Sequence, residues 1–204
     1  MAIIHRAELR PSKTEALAAW LPRQPWSGVT ADEDVAIAGR FRFDDPEGEV
    51  GVETILVRTG DGRVLHAPLT YRAAPLPGAE AFLVTEMDHS VLGRRWVYDA
   101  AGDPVYADVV LRAVRTGARE AELERADGTG TFDKEATAVG SGSASDSPTV
   151  QAVTTRTDGS TTTISTAHGD LHVLRVVGAP APDGETLTAT WTDGSAVVVV
   201  VPVS

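Results

Sequence analysis

The stretch MDHSVLGRRWVYDAAGDP, residues 87–104, decides how this chain folds. Trp96 and Tyr98 alternate on one side of an extended run, which predicts a β-strand. Asp103 then offers a side-chain oxygen to the first free amides of a helix, and Pro104 suits the first helical position because it has no amide hydrogen. Apolar residues at helical spacing follow, so we predict an amphipathic helix that packs against the strand.

Two helices are predicted from the residues at their ends. Ser12 and Glu15 have the spacing of a capping box, in which each side chain binds the backbone amide of the other residue. Pro22 ends this first helix, and Trp20 lies on its apolar face, where we expect a core residue. Gly117 suits the left-handed residue that ends the second helix.

The rest of the chain has the patterns of β-strands. Alternating apolar residues, separated by turns such as Asp-Gly, predict hairpins before and after the second helix. The predicted strands are 2–9, 34–43, 52–59, 63–71, 82–87, 94–99, 150–157, 160–166, 170–177, 185–191 and 196–203. The apolar run 197–201 is either an interior strand or an edge that pairs with another chain. We therefore predict an α+β fold with a mainly antiparallel sheet, on which two or so α-helices pack.

Residues 126–149 differ in composition from the rest of the chain. Gly, Ser, Ala and Asp dominate, and GSGSASDS at 140–147 is of low complexity. This composition predicts a flexible loop. The loop would separate residues 1–125 from C-terminal β-hairpins at 150–204, which we expect to extend the first sheet within a single domain.

The composition also limits the partners and the compartment. The 204 residues carry a net charge of -11, which argues against nucleic acid and anionic membranes as partners. The chain has no cysteine, so disulfides, thiolate metal sites and cysteine nucleophiles are excluded. The N-terminus lacks an export signal and the longest apolar run, 196–203, is too short to span a bilayer, so we predict a cytoplasmic protein.

Few residues have the spacing that catalysis needs. Phosphoryl transfer uses a base Asp followed by a metal-binding Asn, and this chain contains no Asn. Asp88, His89 and Ser90 are adjacent in sequence and cannot form a triad, so we expect them to hold a turn. His168 and His172 fall on a turn and a strand rather than on one helical face. We therefore predict no metal site and no cofactor.

Asp99 and Asp103 are the strongest pair of carboxylates. A glycoside hydrolase needs two carboxylates that face each other across a cleft. Turn formation by Asp99 and helix capping by Asp103 account for both residues without catalysis. We therefore predict that the chain is not an enzyme.

Three motifs in the first half of the chain resemble the N-terminal cap of bacterial maltokinases, in the same order and with similar spacing. AWLPRQPW at 19–26 resembles the WLPRQRW opening of that cap, APLTY at 67–71 its PLxY strand, and RWVYDAAGDP at 95–104 its WVYDAxxDP end. The chain is similar to a free-standing member of the maltokinase N-terminal cap-like family. It departs from the family at 27–29, where Ser-Gly-Val replaces the usual continuation after the tryptophan.

The resemblance implies a cap-like region over residues 1–125, built as a curved antiparallel sheet with a helix against it, similar to cystatin folds. In the kinases this cap sits on the nucleotide-binding lobe and supplies no phosphoryl-transfer residue, and we expect no kinase lobe here. The resemblance therefore implies a non-catalytic accessory or interaction protein, whose partner is a kinase-like or other protein of maltose, trehalose or α-glucan metabolism. An enzyme acting on α-glucans is a weaker alternative, suggested only by how relatives are labelled.

A second hypothesis is the direct binding of a small neutral carbohydrate. Aromatic rings suit the apolar faces of sugars. Trp26 lies in a polar loop after two prolines, so we expect it to be exposed. The predicted ligand or partner surface consists of Trp26, Arg23, Tyr71, Arg94 and Arg95.

Overall fold

The computed structural model of the chain describes residues 2–4, 7–125, 130, 131 and 133–203. Within these residues lie two six-stranded antiparallel sheets, a short parallel pair of strands and two α-helices. The helices are α1, Lys13–Trp20, and α2, Pro104–Thr116. The strands are β1 Ala2–Ile4, β2 Leu9–Arg10, β3 Ala36–Phe43, β4 Gly51–Arg58, β5 Val64–Arg72, β6 Leu83–His89, β7 Gly93–Asp99, β8 Leu123–Arg125, β9 Ala136–Gly140, β10 Thr154–Asp158, β11 Thr161–Thr166, β12 Gly169–Leu174, β13 Glu185–Trp191 and β14 Gly194–Val201. The predicted α+β class with mainly antiparallel sheets is confirmed.

The first sheet has the strand order β2-β6-β7-β5-β4-β3 and curls into a half-barrel. The predicted turn at residues 60–62 joins β4 to β5, and a second tight turn joins β6 to β7. The strand predicted over 2–9 is divided in two: β1 pairs in parallel with β8, whereas β2 pairs with β6. Residues 5 and 6 of that prediction lie outside the described residues.

The second sheet has the strand order β10-β11-β12-β14-β13-β9. The prediction that the C-terminal hairpins extend the first sheet is wrong, because they form this separate sheet. The chain after β12 nevertheless bonds to β5 of the first sheet, where the His66 amide donates to the Arg175 carbonyl at 2.8 Å and the Val177 amide to the Val64 carbonyl at 2.9 Å. β14 lies between β12 and β13, so the interpretation of 197–201 as an interior strand is correct.

The two faces of the first sheet are buried against different partners. Successive residues of a strand point to opposite sides, so β3 and β4 send apolar side chains both ways. On one side, Phe41 belongs to a cluster that also includes Val110 of α2 and Leu171 of the second sheet. On the other side, Ile55 packs in a cluster with Leu17 of α1. The larger cluster therefore joins both sheets around α2.

Both helices begin and end as their sequences predict. The Ser12 amide donates to the Glu15 carboxylate at 2.8 Å, and the Glu15 amide donates to the Ser12 hydroxyl at 3.3 Å. Asp103 accepts the amide of Val105 at 3.0 Å at the start of α2. Gly117 follows α2 with φ at 68°, in the left-handed region that glycine tolerates.

The glycine- and serine-rich segment packs against the end of α2. Residues 136–140 form β9, so the prediction of a flexible loop over 126–149 is wrong for this part. The Gly142 amide donates to the Val114 carbonyl at 2.8 Å, which satisfies an acceptor that the helix leaves without a helical partner. A Cβ atom at Gly140 would lie 1.8 Å from a carbonyl oxygen of α2. The small residues of this segment therefore permit a close backbone approach.

Candidate functional site

The two carboxylates that precede α2 are both buried in ion pairs. A single 3-10 turn, Ala100–Gly102, separates them. Asp99 accepts the amide of the turn's second residue at 3.2 Å and a guanidinium nitrogen of Arg175 at 2.7 Å. Asp103, the helix cap, also accepts two N–H groups of Arg72 at 2.7 Å. The predicted roles in turn formation and capping are confirmed, and the arginines explain how both charges tolerate burial.

Arg175 lies where the two sheets meet, and its side chain is only 1% exposed. Its Nε donates to the Thr162 hydroxyl at 2.8 Å, and its guanidinium carbon lies 5.0 Å from the centroid of the Trp26 ring. That distance is within the range of cation–π interactions. Together with Asp99, these contacts tie the second sheet to the turn before α2.

The expectation that Trp26 is exposed is wrong, because its side chain is only 7% exposed. The ring meets that of Trp20 edge-on, with 5.6 Å between centroids, and Arg175 lies over it. Trp20 is a core residue, as predicted. Both indoles line a cavity of about 280 Å³ between the loop after α1 and the β10–β11 hairpin. Burial of a large aromatic ring stabilises this junction.

A larger groove of about 860 Å³ lies on the face of the first sheet that carries α1. It begins where Lys13, the first residue of α1, meets the sheet. β3, β4, β5 and the β6–β7 hairpin supply its walls. Its polar and charged lining includes Lys13, Arg40, Arg42, Asp44, Asp45, Glu49, Glu53, Tyr71, His89, Arg95, Asp133 and Glu135.

Glu53 is the centre of a buried charge cluster in this groove, and its side chain is 2% exposed. Lys13 Nζ donates to its two carboxylate oxygens at 2.8 and 2.6 Å, Arg42 Nε donates at 3.3 Å, and the Tyr71 hydroxyl donates at 2.8 Å. Burial alone would raise the pKa of Glu53, but the positive charges of Arg42 and Lys13 lower it below its ordinary range. Burial, followed by the charge of Glu53, raises the pKa of Tyr71 well above 10. At neutral pH the carboxylate is charged and the phenol is protonated, which fixes all four side chains.

The five residues predicted as a ligand or partner surface do not lie together. Tyr71 and Arg95 line the groove, whereas Trp26 lines the smaller cavity. Arg23 is exposed at the end of the turn after α1, and Arg94 is exposed on β7, where it pairs with a glutamate of β6 at 3.2 Å. The structure thus divides the predicted surface between separate places.

The histidine of the β6–β7 turn has the structural role predicted for it. His89 Nδ1 accepts the amides of Val91 and Leu92 at 3.2 and 3.1 Å. In the part of the chain that the structure describes, no group of three His, Cys, Asp or Glu side chains could hold a metal ion. No helix within that part is long and apolar enough to cross a membrane.

Sequence reasoning missed Arg175 and Glu53, the two buried charges that organise these places. Each gives the same signal, a charged residue inside a mainly apolar run of sequence: VLRVV at 173–177 and VETILV at 52–57. A buried charge needs a partner, so this pattern indicates an ion pair. The partners Asp99 and Lys13 are 76 and 40 residues away in sequence, so the pattern alone cannot name them.

Comparison with known families extends the resemblance found in the sequence. The family model of the maltokinase N-terminal cap domain matches residues 20–103, which is less than half of the chain. The match begins at Trp20 and ends at Asp103, so it includes the turn before α2 but neither α2 nor the second sheet. The resemblance inferred from the three motifs is confirmed over these residues. No match was found among curated proteins.

Proposed function

We propose that this protein is a non-catalytic, cap-like accessory module of maltose, trehalose or α-glucan metabolism. The proposal rests on one observation: the conspicuous residues of the cap motifs have structural roles. Within the matched residues, Asp99 and Asp103 are buried in ion pairs with arginines, and Trp26 is buried against Arg175. Each carboxylate is engaged by an arginine and a backbone amide, which gives both residues a structural role. The match to the cap of a sugar kinase supports the link to sugar metabolism.

The proposed partner-binding surface is the tip of the β6–β7 hairpin. Among the described residues, the exposed large apolar side chains are those of Leu83, Val91, Leu92 and Val203. Val91 and Leu92 are adjacent at the tip, where they are 54% and 44% exposed, and Arg94 of the predicted surface follows on β7. Adjacent exposed apolar side chains beside an arginine favour a protein contact. The partner is a separate kinase-like or other protein of the same metabolism.

Affinity capture tests the partner and the surface together. The tagged chain is incubated with an extract of the organism that encodes it, and captured proteins are identified by mass spectrometry. We expect a protein of maltose, trehalose or α-glucan metabolism with the unaltered chain, and its loss with Val91→Asp/Leu92→Asp. Leu83→Asp, the same type of change on an exposed residue away from the tip, should retain it. Recovery of no such protein would contradict the proposed role, and its retention by the double variant would contradict the surface.

An activity assay tests the non-catalytic part of the proposal. The purified chain is incubated with maltose, trehalose and glycogen, with and without ATP and Mg²⁺. We expect no phosphorylated, hydrolysed or transferred product. Turnover of any of these saccharides by the purified chain would overturn this part, whatever the capture experiment shows.

A further inference from the structure

We propose that the groove on the α1 face of the first sheet binds a neutral, polyhydroxylated ligand, a small saccharide, against the ring of Tyr71. This inference does not depend on the proposed partner. The groove encloses about 860 Å³, within the range of roughly 300–1,000 Å³ that is usual for small-molecule sites. Of the two exposed apolar residues at the hairpin tip, Leu92 also lines the groove, whereas Val91 does not.

The ring of Tyr71 is held rigidly at the groove. Its hydroxyl donates to Glu53 at 2.8 Å, and Lys13 Nζ lies 5.5 Å from the ring centroid. Because that hydroxyl is already bonded, the ring rather than the polar tip is what Tyr71 offers a ligand. A fixed aromatic ring loses little conformational entropy when a ligand packs on it.

The residue opposite Tyr71 leaves space beside the ring. Gly51 is its cross-strand partner on β4 and also lines the groove. A Cβ atom at Gly51 would have three atoms of Tyr71 as its nearest neighbours, at 3.4–3.8 Å, which are ordinary contact distances. The missing side chain at Gly51 therefore leaves room next to Tyr71, apart from the place of Lys13 over the ring, and the apolar face of a sugar fits there.

The charges of the groove favour a neutral ligand over an ion. Three of the four Lys and Arg side chains that line the groove are paired with carboxylates: Lys13 and Arg42 both bond to Glu53, and Arg40 pairs with Glu135 at 2.7 Å. A bound ion would compete with these pairs, whereas hydroxyl groups can accept from a guanidinium and donate to a carboxylate without breaking them. The net charge of -11 further disfavours anions. The pairs that Glu53 and Glu135 make near an aromatic ring are thus suited to a sugar.

Isothermal titration calorimetry of the full chain tests this site with maltose, trehalose and maltotriose as probes and glucose 6-phosphate as the anionic comparator. We expect at least one neutral probe to bind. Gly51→Val should weaken that binding about tenfold or more, because its side chain occupies the space beside Tyr71. Gly60→Ala, in the turn between β4 and β5 and outside the groove lining, is the control and should bind like the unaltered chain. Thermal unfolding of both variants checks that they fold.

NMR spectroscopy of the unaltered chain tests the binding site without any substitution. In two-dimensional NMR spectra of the unaltered chain, the bound saccharide should shift the signals of Gly51 and Tyr71 more than the indole signal of Trp26. No heat and no shift with any neutral probe would overturn the inference. So would unchanged affinity in a folded Gly51→Val, or binding of glucose 6-phosphate alone. The capture experiment can fail or succeed whatever this titration gives.

Discussion

Arg175 is a buried charge at the contact between the two sheets. Its guanidinium is buried and bonds to Asp99 at 3.0 and 2.7 Å. Breaking a buried pair from one side leaves the other charge without compensation, which costs about 3–5 kcal/mol. We therefore expect Arg175→Met to lower the free energy of unfolding by about that amount, measured by urea denaturation. Arg58→Met breaks the exposed Arg58–Asp193 pair, 2.6 Å apart, and should cost less than about 1 kcal/mol.

A double variant separates the ion pair from simple loss of packing. Asp99→Asn in the Arg175→Met background removes the unpaired carboxylate, so part of the lost stability should return. If the two changes add without any recovery, the pair is not what stabilises the junction. Equal effects of Arg175→Met and Arg58→Met would lead to the same conclusion.

His66 makes stability depend on pH in a range where most carboxylates do not titrate. Burial, and then the positive charge of Arg175, lower the pKa of His66 to about 3 in the folded protein, whereas its ordinary pKa is 6.5. Between these values the unfolded chain binds a proton that the folded protein does not, so stability falls as the pH falls. From pH 7 to pH 5 we expect a loss of about 2 kcal/mol in the free energy of unfolding.

His66→Asn is the variant that checks this prediction. The Asn amide can replace the ring nitrogen that lies 3.2 Å from the Leu174 carbonyl, but it does not titrate. Urea denaturation at several pH values should then show a flatter pH dependence over this range, even if the variant is less stable throughout. An unchanged slope would mean that other groups cause the acid sensitivity.

At the scale of elements, the features that the sequence predicts are those that depend on side chains only a few residues apart. The capping box of α1, the cap and left-handed end of α2, and the turn at 60–62 each follow from side chains close in sequence. The pairing of β9 with β13 joins residues about fifty positions apart, and composition alone predicted a loop there. The Gly-Ser pattern is equally typical of a linker and of a close backbone contact, so only the three-dimensional partner distinguishes them.

Gly140, the last residue of β9, lies close against the backbone of α2. A Cβ atom there would lie 1.8 Å from the Ala113 carbonyl oxygen, so Gly140→Ala forces β9 away from α2. We expect a loss of about 2 kcal/mol or more in the free energy of unfolding, measured by urea denaturation. Gly60→Ala is the matched control, because the nearest atoms to its Cβ are side-chain atoms at 3.4 Å. A variant at Gly140 as stable as the control would show that β9 is not held closely against α2.

At the scale of the whole molecule, the sequence predicted the fold class and the resemblance to the cap domain, which the family match shows over residues 20–103, but not a second sheet. A hairpin pattern predicts that neighbouring strands pair, but it does not show which sheet the hairpin joins.

The candidate sites could be predicted only in part, because they also depend on contacts between residues far apart in sequence. Tyr71 and Arg95 were identified as surface residues, but the groove that contains them is completed by Lys13 of α1, Glu53 of β4 and Glu135 before β9. Such convergence depends on tertiary packing.

The shared core predicts that the region 1–125 does not fold by itself. Its largest apolar cluster includes Phe41 and Val110 together with Leu171 and Val199 of the second sheet, so truncation exposes one face of the first sheet and most of α2. Truncation also removes Arg175, the partner of the buried Asp99.

We expect the full chain to unfold in one cooperative calorimetric transition. Residues 1–125 alone should show no such transition and should bind a hydrophobic dye. Mixing this fragment with residues 126–204 should restore a cooperative transition if the second sheet supplies the missing half of the core. A cooperative transition of 1–125 alone would instead show that the cap-like region is an autonomous domain, and that the second sheet is an addition to it.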